Sequence, residues 1–441
     1  MRGRGLILAA PASGSGKTLL TAGLLRHLRE RGRRVVAAKA GPDYIDPTFH
    51  EAASGAASIN LDPWAIRPAT LAGLVSALEA AADIVLCEGV MGLFDGTGPD
   101  GETGSTAALA RLTGWPVVLV VDARHQGPSV AALVAGFDRH DPGLRLAGIA
   151  FNRVAGARHR AVLEAAMARH LPGLPCLGSL PQDQELALPE RHLGLVPAGE
   201  RSSAEAVIAR AARAVSAGLD IDRLVALARP STLAAAAPDV PLPPIGRRIA
   251  VARDDAFLFA YPAVLEGWRR QGAELSFFSP LADEMPDRAA DAIYLPGGYP
   301  ELHAGRLAAA ERFVAGLRRA AAAGTTIYGE CGGYMALGES LTDGDGRAHR
   351  MAGLLPVSTS FAERRLHLGY RAATVIGAGP LGPTGARFRG HEFHYATTIA
   401  AGAAAPLFAL ADASGNDLGA SGLRRGSVMG SFIHLIDRAE D

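Results

Sequence analysis

The chain has 441 residues, and its 44 lysines and arginines balance 44 aspartates and glutamates, so the formal charge is zero. Neutrality leaves no basic field for nucleic acid or an anionic membrane, and no run of about 18 apolar residues offers a membrane span. With 49% hydrophobic and 20% charged residues the chain reads as globular rather than disordered, and its length suggests roughly two or three domains.

Three cysteines, Cys87, Cys176 and Cys331, lie too far apart for a disulfide framework or a metal cluster, so a reduced, cytoplasmic setting is expected. Of the basic residues only Lys17 and Lys39 are lysines. GC-rich coding favours arginine; under that drift, a retained lysine marks a place where a compact ammonium is needed and a guanidinium fork does not fit.

Residues 1–227 alternate short β-branched runs (6–10, 34–38, 83–87, 117–121, 147–151) with amphipathic stretches such as 18–30, which sets Leu19, Leu20, Gly23, Leu24 and Leu28 on one helical face. That alternation predicts a parallel sheet with crossover helices. The first strand runs into Pro11-Ala-Ser-Gly-Ser-Gly-Lys-Thr18. Gly14, Ser15 and Gly16 would bring backbone N–H groups onto phosphate oxygens, Lys17 would bridge the β- and γ-phosphates of ATP, and Thr18 would offer its hydroxyl to Mg²⁺. Pro11 stands where the usual first glycine belongs, and Ala12 where partition-type ATPases carry an extra lysine, which weakens a filament or partition role.

Lys39 opens Lys-Ala-Gly-Pro-Asp43-Tyr-Ile-Asp46-Pro at a strand end, where ligands of parallel sheets bind. Asp43 and Asp46 could hold Mg²⁺ or position an acceptor, and Asp46-Pro47 equally suits a helix N-cap followed by proline. A further strand carries Cys87, read as a core residue, and ends in Glu88-Gly-Val-Met-Gly-Leu-Phe-Asp95-Gly. Glu88 is placed as a metal ligand, and Asp95 as a residue facing a substrate pocket. Ser105 and Thr106 suit helix capping, while Asp122 at the next strand end has no assigned role.

Residues 228–246, rich in Pro and Ala, read as a linker. A second α/β pattern over 247–441 has strands expected at 249–252, 275–278, 292–295 and 326–328, then extended stretches at 368–375, 387–398 and 427–435. Gly329-Glu-Cys331-Gly332-Gly is a strand, tight turn and helix: an elbow that exposes a nucleophile beside a helix start that lowers its pKa. Backbone N–H groups of Gly298 and Gly332 could form an oxyanion hole, and His434 is the candidate base. Gly390-His391-Glu392-Phe-His394-Tyr395 suits substrate binding or support of the site better than a metal, because His-x-x-His splays on an extended segment.

In this order Gly-Pro-Asp-Tyr-Ile-Asp, Glu-Gly-Val-Met-Gly-Leu-Phe-Asp-Gly, Leu-Pro-Gly-Gly-Tyr-Pro-Glu, Gly-Glu-Cys-Gly-Gly-Tyr and Gly-His-Glu-Phe-His-Tyr resemble the cobyrinic/hydrogenobyrinic acid a,c-diamide synthase family of cobalamin biosynthesis. The resemblance implies a dethiobiotin-synthetase-like P-loop domain followed by a class I glutamine amidotransferase domain. It implies glutamine hydrolysis at Cys331 and ATP-driven amidation of the a and c acetates of a corrin acid through acyl phosphates. It further implies Mg²⁺ at Thr18, Asp46 and Glu88, substrate contacts at Asp43 and Asp95, and adenine near Asn152. The expected partners are corrin acid, ATP and glutamine, with a homodimer allowed. The chain departs from ordinary class I glutaminases at Ile436, where their His-x-Glu pattern has its glutamate. The Lys-Ala-Gly-Pro-Asp-Tyr-Ile-Asp-Pro segment and the Arg/Ala-rich style resemble the aerobic-pathway branch, which implies metal-free hydrogenobyrinic rather than cobyrinic acid. Cobyric acid synthase and a non-enzymatic P-loop ATPase are the other readings.

Overall fold

The computed structural model describes residues 3–98, 100–186, 190–191, 194–195, 202–237 and 239–440. Its chain forms two compact units, one comprising residues up to Trp64 together with Pro68–Asp239, the other Ala65–Arg67 with Val240–Asp441.

The first unit holds strands β1 (Arg4–Ala9), β2 (Val35–Ala40), β3 (Ile59–Leu61), β4 (Ile84–Glu88), β5 (Val117–Asp122), β6 (Leu146–Val154) and β7 (Cys176–Pro181). They form one parallel sheet in the order β3-β2-β4-β1-β5-β6-β7. Leu6, Ile7, Leu8, Val85, Leu86, Val118 and Leu119 are wholly buried, as expected where helices cover both faces. Those helices are α1 (Lys17–Glu30), α2 (Asp46–Ser54), α3 (Pro68–Ala81), α4 (Thr106–Thr113), α5 (Val130–His140), α6 (Ala157–His170), α7 (Ser202–Gly218) and α8 (Ile221–Leu227). A two-stranded ladder, β8 (Glu190–Arg191) with β9 (Gly194–Leu195), completes the unit. After β1 the chain turns to β2 and β3 on one side, whereas β5, β6 and β7 extend on the other. Ligands of such sheets bind at that switch, beyond the carboxyl ends of the strands, here where β1, β2 and β4 lead into residues 10–16, 41–45 and 89–96.

The second unit is built on ten strands in the order β11-β10-β12-β13-β22-β21-β20-β17-β18-β23. They are β10 (Arg248–Ala252), β11 (Glu274–Phe278), β12 (Ala292–Leu295), β13 (Thr326–Glu330), β17 (His367–Val375), β18 (Arg387–His394), β20 (Ala405–Ala411), β21 (Asp417–Arg425), β22 (Val428–Ser431) and β23 (His434–Arg438). From β11 to β22 the pairing is parallel and from β22 to β23 antiparallel. A smaller sheet holds β14 (Ser340–Thr342), β15 (Ala348–Arg350), β16 (Val357–Ser360) and β19 (Thr397–Ala401). Helices α9 (Pro262–Arg270), α10 (Ala304–Ala309), α11 (Glu311–Ala322) and α12 (Gly332–Leu337) accompany them. No helix among the described residues is long and apolar enough to cross a membrane.

The segment read as a linker is anchored at both ends. Gly5 and Arg229 exchange backbone hydrogen bonds of 2.7 and 3.1 Å, and Thr232 N donates to Thr113 O at 2.8 Å. From Val240 onward the chain belongs to the second unit, where Pro243 O accepts from Trp268 Nε1 at 3.1 Å. Buried Glu79 holds the first anchor: one carboxylate oxygen accepts from Ser231 N at 2.6 Å and from Trp115 Nε1 at 3.1 Å. Removing it strands two buried donors, each costing about 1–3 kcal/mol. Glu79→Ala is therefore expected to lower the urea midpoint of the first unit's unfolding clearly, whereas Glu79→Gln, which keeps an acceptor, should lower it much less.

Candidate functional site

A cavity of about 450 Å³ opens over the carboxyl ends of β1, β2 and β4, and both lysines of the chain line it, with Asp43, Asp46, Glu88 and Asn152. Gly14, Ser15, Gly16 and Thr18 form its floor. Gly16 caps α1 in a left-handed conformation (φ 86°), and a Cβ there would lie 2.2 Å from Asn152 Nδ2. Only glycine allows this close approach. Ser15 Oγ donates to Ala12 O at 2.8 Å, fixing the loop.

Lys17 Nζ donates to Met91 O at 2.6 Å; burial, then the charge of Lys39, pulls its pKa down to about 8. An ammonium so desolvated gains most from an anion. Thr18 Oγ1 donates to Glu88 Oε1 at 2.8 Å. Lys39 Nζ reaches Asp46 Oδ2 at 2.5 Å, Glu88 Oε1 at 3.1 Å and Gly89 O at 3.2 Å. Burial alone would strip its proton, but Asp46, Glu88 and Asp43 outweigh burial and raise its pKa. Burial, then Asp43 and Glu88, push the Asp46 carboxyl up to about 8, against the pull of Lys39. Glu88 is held ionised, against burial, chiefly by Lys39 and His50.

The Asp46 N-cap reading is not what forms. Asp46 lies inside the first turn of α2 with its carboxylate on Lys39, and Asp43 Oδ1 takes the backbone N–H groups of Ile45 (2.7 Å) and Asp46 (2.8 Å). Asp95 departs from expectation too: it is exposed and absent from the cavity lining, and Oδ2 accepts from Gly92 N at 2.9 Å, although its charge is felt at Lys17. Asn152 lines the cavity with its amide turned to the loop, Nδ2 donating to Ser15 O at 2.9 Å. Asp122 gains a role: it holds Arg153 Nη1 at 2.6 Å, and the same nitrogen donates to Gly14 O at 2.7 Å. Ser105 caps α4 by accepting from Ala108 N, and Thr106 Oγ1 holds Val90 N at 2.9 Å. Sequence reasoning missed His50, which is fully buried with Nε2 2.6 Å from Glu88 Oε2 and Nδ1 3.1 Å from Ser58 Oγ. Its place four residues after Asp46, on the same helix face, was the available signal.

In the second unit Cys331 sits between β13 and α12 at φ 46°, a strained backbone for a residue with a Cβ. His434 opens β23 beside it. A Cβ on Gly297 would lie 2.3 Å from His434 Cε1, 3.0 Å from Nε2 and 3.2 Å from Cys331 Cβ, so ring and cysteine converge on a glycine. Gly298 N would lie 3.0 Å from a Cβ on Gly332, which places the two candidate oxyanion donors side by side. The expected low thiol pKa is not present in this state. Burial, then Glu301, pushes the Cys331 thiol up, with Gly332 N–H only partly offsetting them. Burial, then His391 and His394, draws His434 down to about 3. The resting pair is therefore thiol and neutral imidazole.

His391 lies opposite His434 in the β18–β23 pairing. His367, Glu392 and His394 bring ligand-type atoms within 4.8 Å of one another. The rings of His367 and His394, however, stack 4.7 Å apart at 11°, so their in-plane lone pairs run side by side rather than converge, and Arg371 Nε already binds Glu392 at 2.7 Å. Asp437, one residue out of phase with a His-x-Glu pattern, is bound by Arg67 N (2.8 Å) and Nε (3.0 Å).

If Lys17 neutralises phosphate, Lys17→Arg should lower nucleotide-driven phosphate release by on the order of 100-fold, since a guanidinium fork misplaces the charge. Near-normal release in that variant would contradict the cradle.

Residues 6–196 match the CobQ/CobB/MinD/ParA nucleotide binding domain family, and residues 248–441 the CobB/CobQ-like glutamine amidotransferase domain family. The chain is 55% identical over 436 residues to a hydrogenobyrinate a,c-diamide synthase of Brucella anthropi, covering 98% of each. It is 53% identical over 440 residues to the Rhizobium meliloti enzyme of the same name, covering 99% of this chain and all of that one. A third, from Mesorhizobium japonicum, is 51% identical over 440 residues across the full length of both. A nucleotide-binding unit, then an amidotransferase unit, with identity above one half over almost every residue, define the relationship: the chain belongs to the hydrogenobyrinate a,c-diamide synthase family.

Proposed function

We infer that the chain is a glutamine-dependent ligase that converts hydrogenobyrinic acid to its a,c-diamide, consuming ATP and glutamine for each amide. The observation that carries this is the pairing, in one chain, of a phosphate loop facing three carboxylates and both lysines with a strained cysteine set against His434. The curated relatives named above act, by their names, on hydrogenobyrinate, which favours the metal-free macrocycle over its cobalt form.

At the first site an acetate oxygen of the corrin acid attacks the γ-phosphorus of ATP, and ADP departs with the bonding pair to leave an acyl phosphate. Ammonia then attacks the acyl carbon; phosphate leaves and a proton is lost, giving the amide. Substrate and nucleotide are both anionic, so the chain must bring them together against repulsion. Lys17 and the loop N–H groups bind the phosphates. Thr18 Oγ1 bonds Glu88, and Glu88 and Asp46 share the Lys39 ammonium; these hard oxygen donors fit Mg²⁺ and would hold it. Bound there, Mg²⁺ would neutralise phosphate charge. Asp43, on the cavity wall, and Asp95, near Lys17, are assigned to corrin acid orientation and release, and Asn152 to the nucleotide base side.

At the second site Cys331 Sγ attacks the glutamine amide carbon while its proton passes to His434 Nε2, and Gly298 and Gly332 N–H groups receive the oxyanion. His434 returns the proton to the leaving nitrogen, ammonia departs, and water hydrolyses the thioester to glutamate. We place these reactions in the cytoplasm, where ATP and glutamine are available.

Cys331→Ala is expected to abolish glutamine-driven amidation while ammonia-driven amidation continues, both followed by phosphate release in the presence of corrin acid. Loss of both would contradict two separate half-reactions.

A further inference from the structure

Where ordinary class I glutaminases hold the histidine by a glutamate two residues on, this chain has Ile436, a buried aliphatic side chain. A buried carboxylate nevertheless stands on the correct side of the imidazole. Glu330, the residue just before the nucleophile, places Oε2 3.8 Å from His434 Nδ1, and both side chains are almost wholly buried. We propose that Glu330, supplied by β13, is the positioning carboxylate of the glutaminase site, orienting His434 and stabilising the imidazolium that forms when Cys331 is deprotonated.

The carboxylate is locked in place. Tyr294 OH donates to Oε2 at 2.6 Å, while Tyr328 OH (3.0 Å) and Leu435 N (3.1 Å) donate to Oε1. Leu435 follows His434 directly, so the same carboxylate bonds the backbone of the strand that carries the base. Trp268, Tyr294, Tyr328 and Phe388 wall the surroundings with apolar surface. Burial, then the Glu330 charge, pushes both phenols up, so they remain donors. Burial raises Glu330 itself to about 7, against the pull of its three donors. An anion is thus available near neutrality and lies in a medium where a facing imidazolium is worth far more than in water.

Other groups face the pair. Across β18, His391 and His394 disfavour a charged His434 and Glu392 favours it; the Phe259 backbone also favours it, and the rising Cys331 thiol lies on the far side of the ring. Among the carboxylates named, Glu330 is the one with an oxygen within 4 Å of Nδ1. The gap of 3.8 Å is about 1 Å beyond a hydrogen bond, in keeping with a resting neutral imidazole; such contacts commonly tighten only once the substrate is bound. Asp437 cannot serve instead, because Arg67 holds both its oxygens.

This inference rests on the glutaminase reading of Cys331 and His434, and its test separates the two. Glu330→Gln carries no charge; its carbonyl oxygen can still accept from Tyr328 OH and Leu435 N, while its NH2 takes the Oε2 position and donates to Tyr294 OH, which turns from donor to acceptor. Glutaminase kcat is expected to fall on the order of 100-fold with KM for glutamine little changed; the unchanged KM reports an intact glutamine site, and unchanged ammonia-driven amidation reports an unaffected synthetase unit. Adding Ile436→Glu, which returns a carboxylate to the face of β23 that carries His434, should recover kcat at least tenfold. Glutaminase kcat within threefold of the native chain in Glu330→Gln would overturn the role of Glu330 and leave the Cys331 assignment standing. A parallel fall in ammonia-driven amidation, or no recovery in a double variant that keeps its KM and ammonia activity, would likewise overturn it. Cys331→Ala that still hydrolyses glutamine would instead overturn the underlying reading.

Discussion

Charge balance in a desolvated cavity is the constraint on which the first unit depends. Asp43, Asp46 and Glu88 converge at strand ends where Lys39 is the ammonium within bonding distance of two of them, and Lys17 waits on a backbone carbonyl. Burying such charges is costly unless they are paired and hydrogen-bonded. Each partner therefore fixes another: His50 and Thr18 hold Glu88, Asp43 holds the start of α2, and α2 delivers Asp46. A compact ammonium can sit among several oxygens at once, whereas a planar fork imposes its own directions. That difference explains why a chain so rich in arginine keeps lysine at these two places.

The second unit follows the opposite strategy. Cysteine, histidine and glutamate are all nine-tenths or more buried, and burial pushes each toward its neutral form. A thiol beside a neutral imidazole is a poor nucleophile. The site is strained by the backbone at Cys331 and set geometrically, with its thiol and imidazole resting neutral.

Much of this was legible before the fold was seen. Buried parallel strands read as continuous apolar runs, and Gly14-Ser-Gly-Lys17-Thr and Gly-Glu-Cys331-Gly-Gly are local signals whose chemistry is complete within a few residues. What escaped was non-local or weakly patterned. The short strands β14 and β15 and the glycine-rich β21 carry little alternation, and β7 begins with Cys176 rather than a β-branched residue. His50 and Glu330 acquire meaning only when other strands arrive beside them. Asp43, not Asp46, takes the backbone N–H groups at the start of α2, because buried Lys39 competes for the Asp46 carboxylate more strongly than a backbone N–H does. The Pro/Ala-rich segment looked like a free tether because its anchors, Gly5, Glu79 and Thr113, lie more than 100 residues away in sequence.

The central claim, that phosphate-loop chemistry in one unit is fed by ammonia from the other to amidate a metal-free corrin acid, is tested most directly by mass spectrometry of the products. Incubated with hydrogenobyrinic acid, ATP, Mg²⁺ and glutamine, the native chain should replace two carboxylates by amides in succession, passing through a monoamide, and should amidate cobyrinic acid more slowly. Recovery of unmodified hydrogenobyrinic acid, or amide formation that proceeds equally well without ATP, would contradict the account.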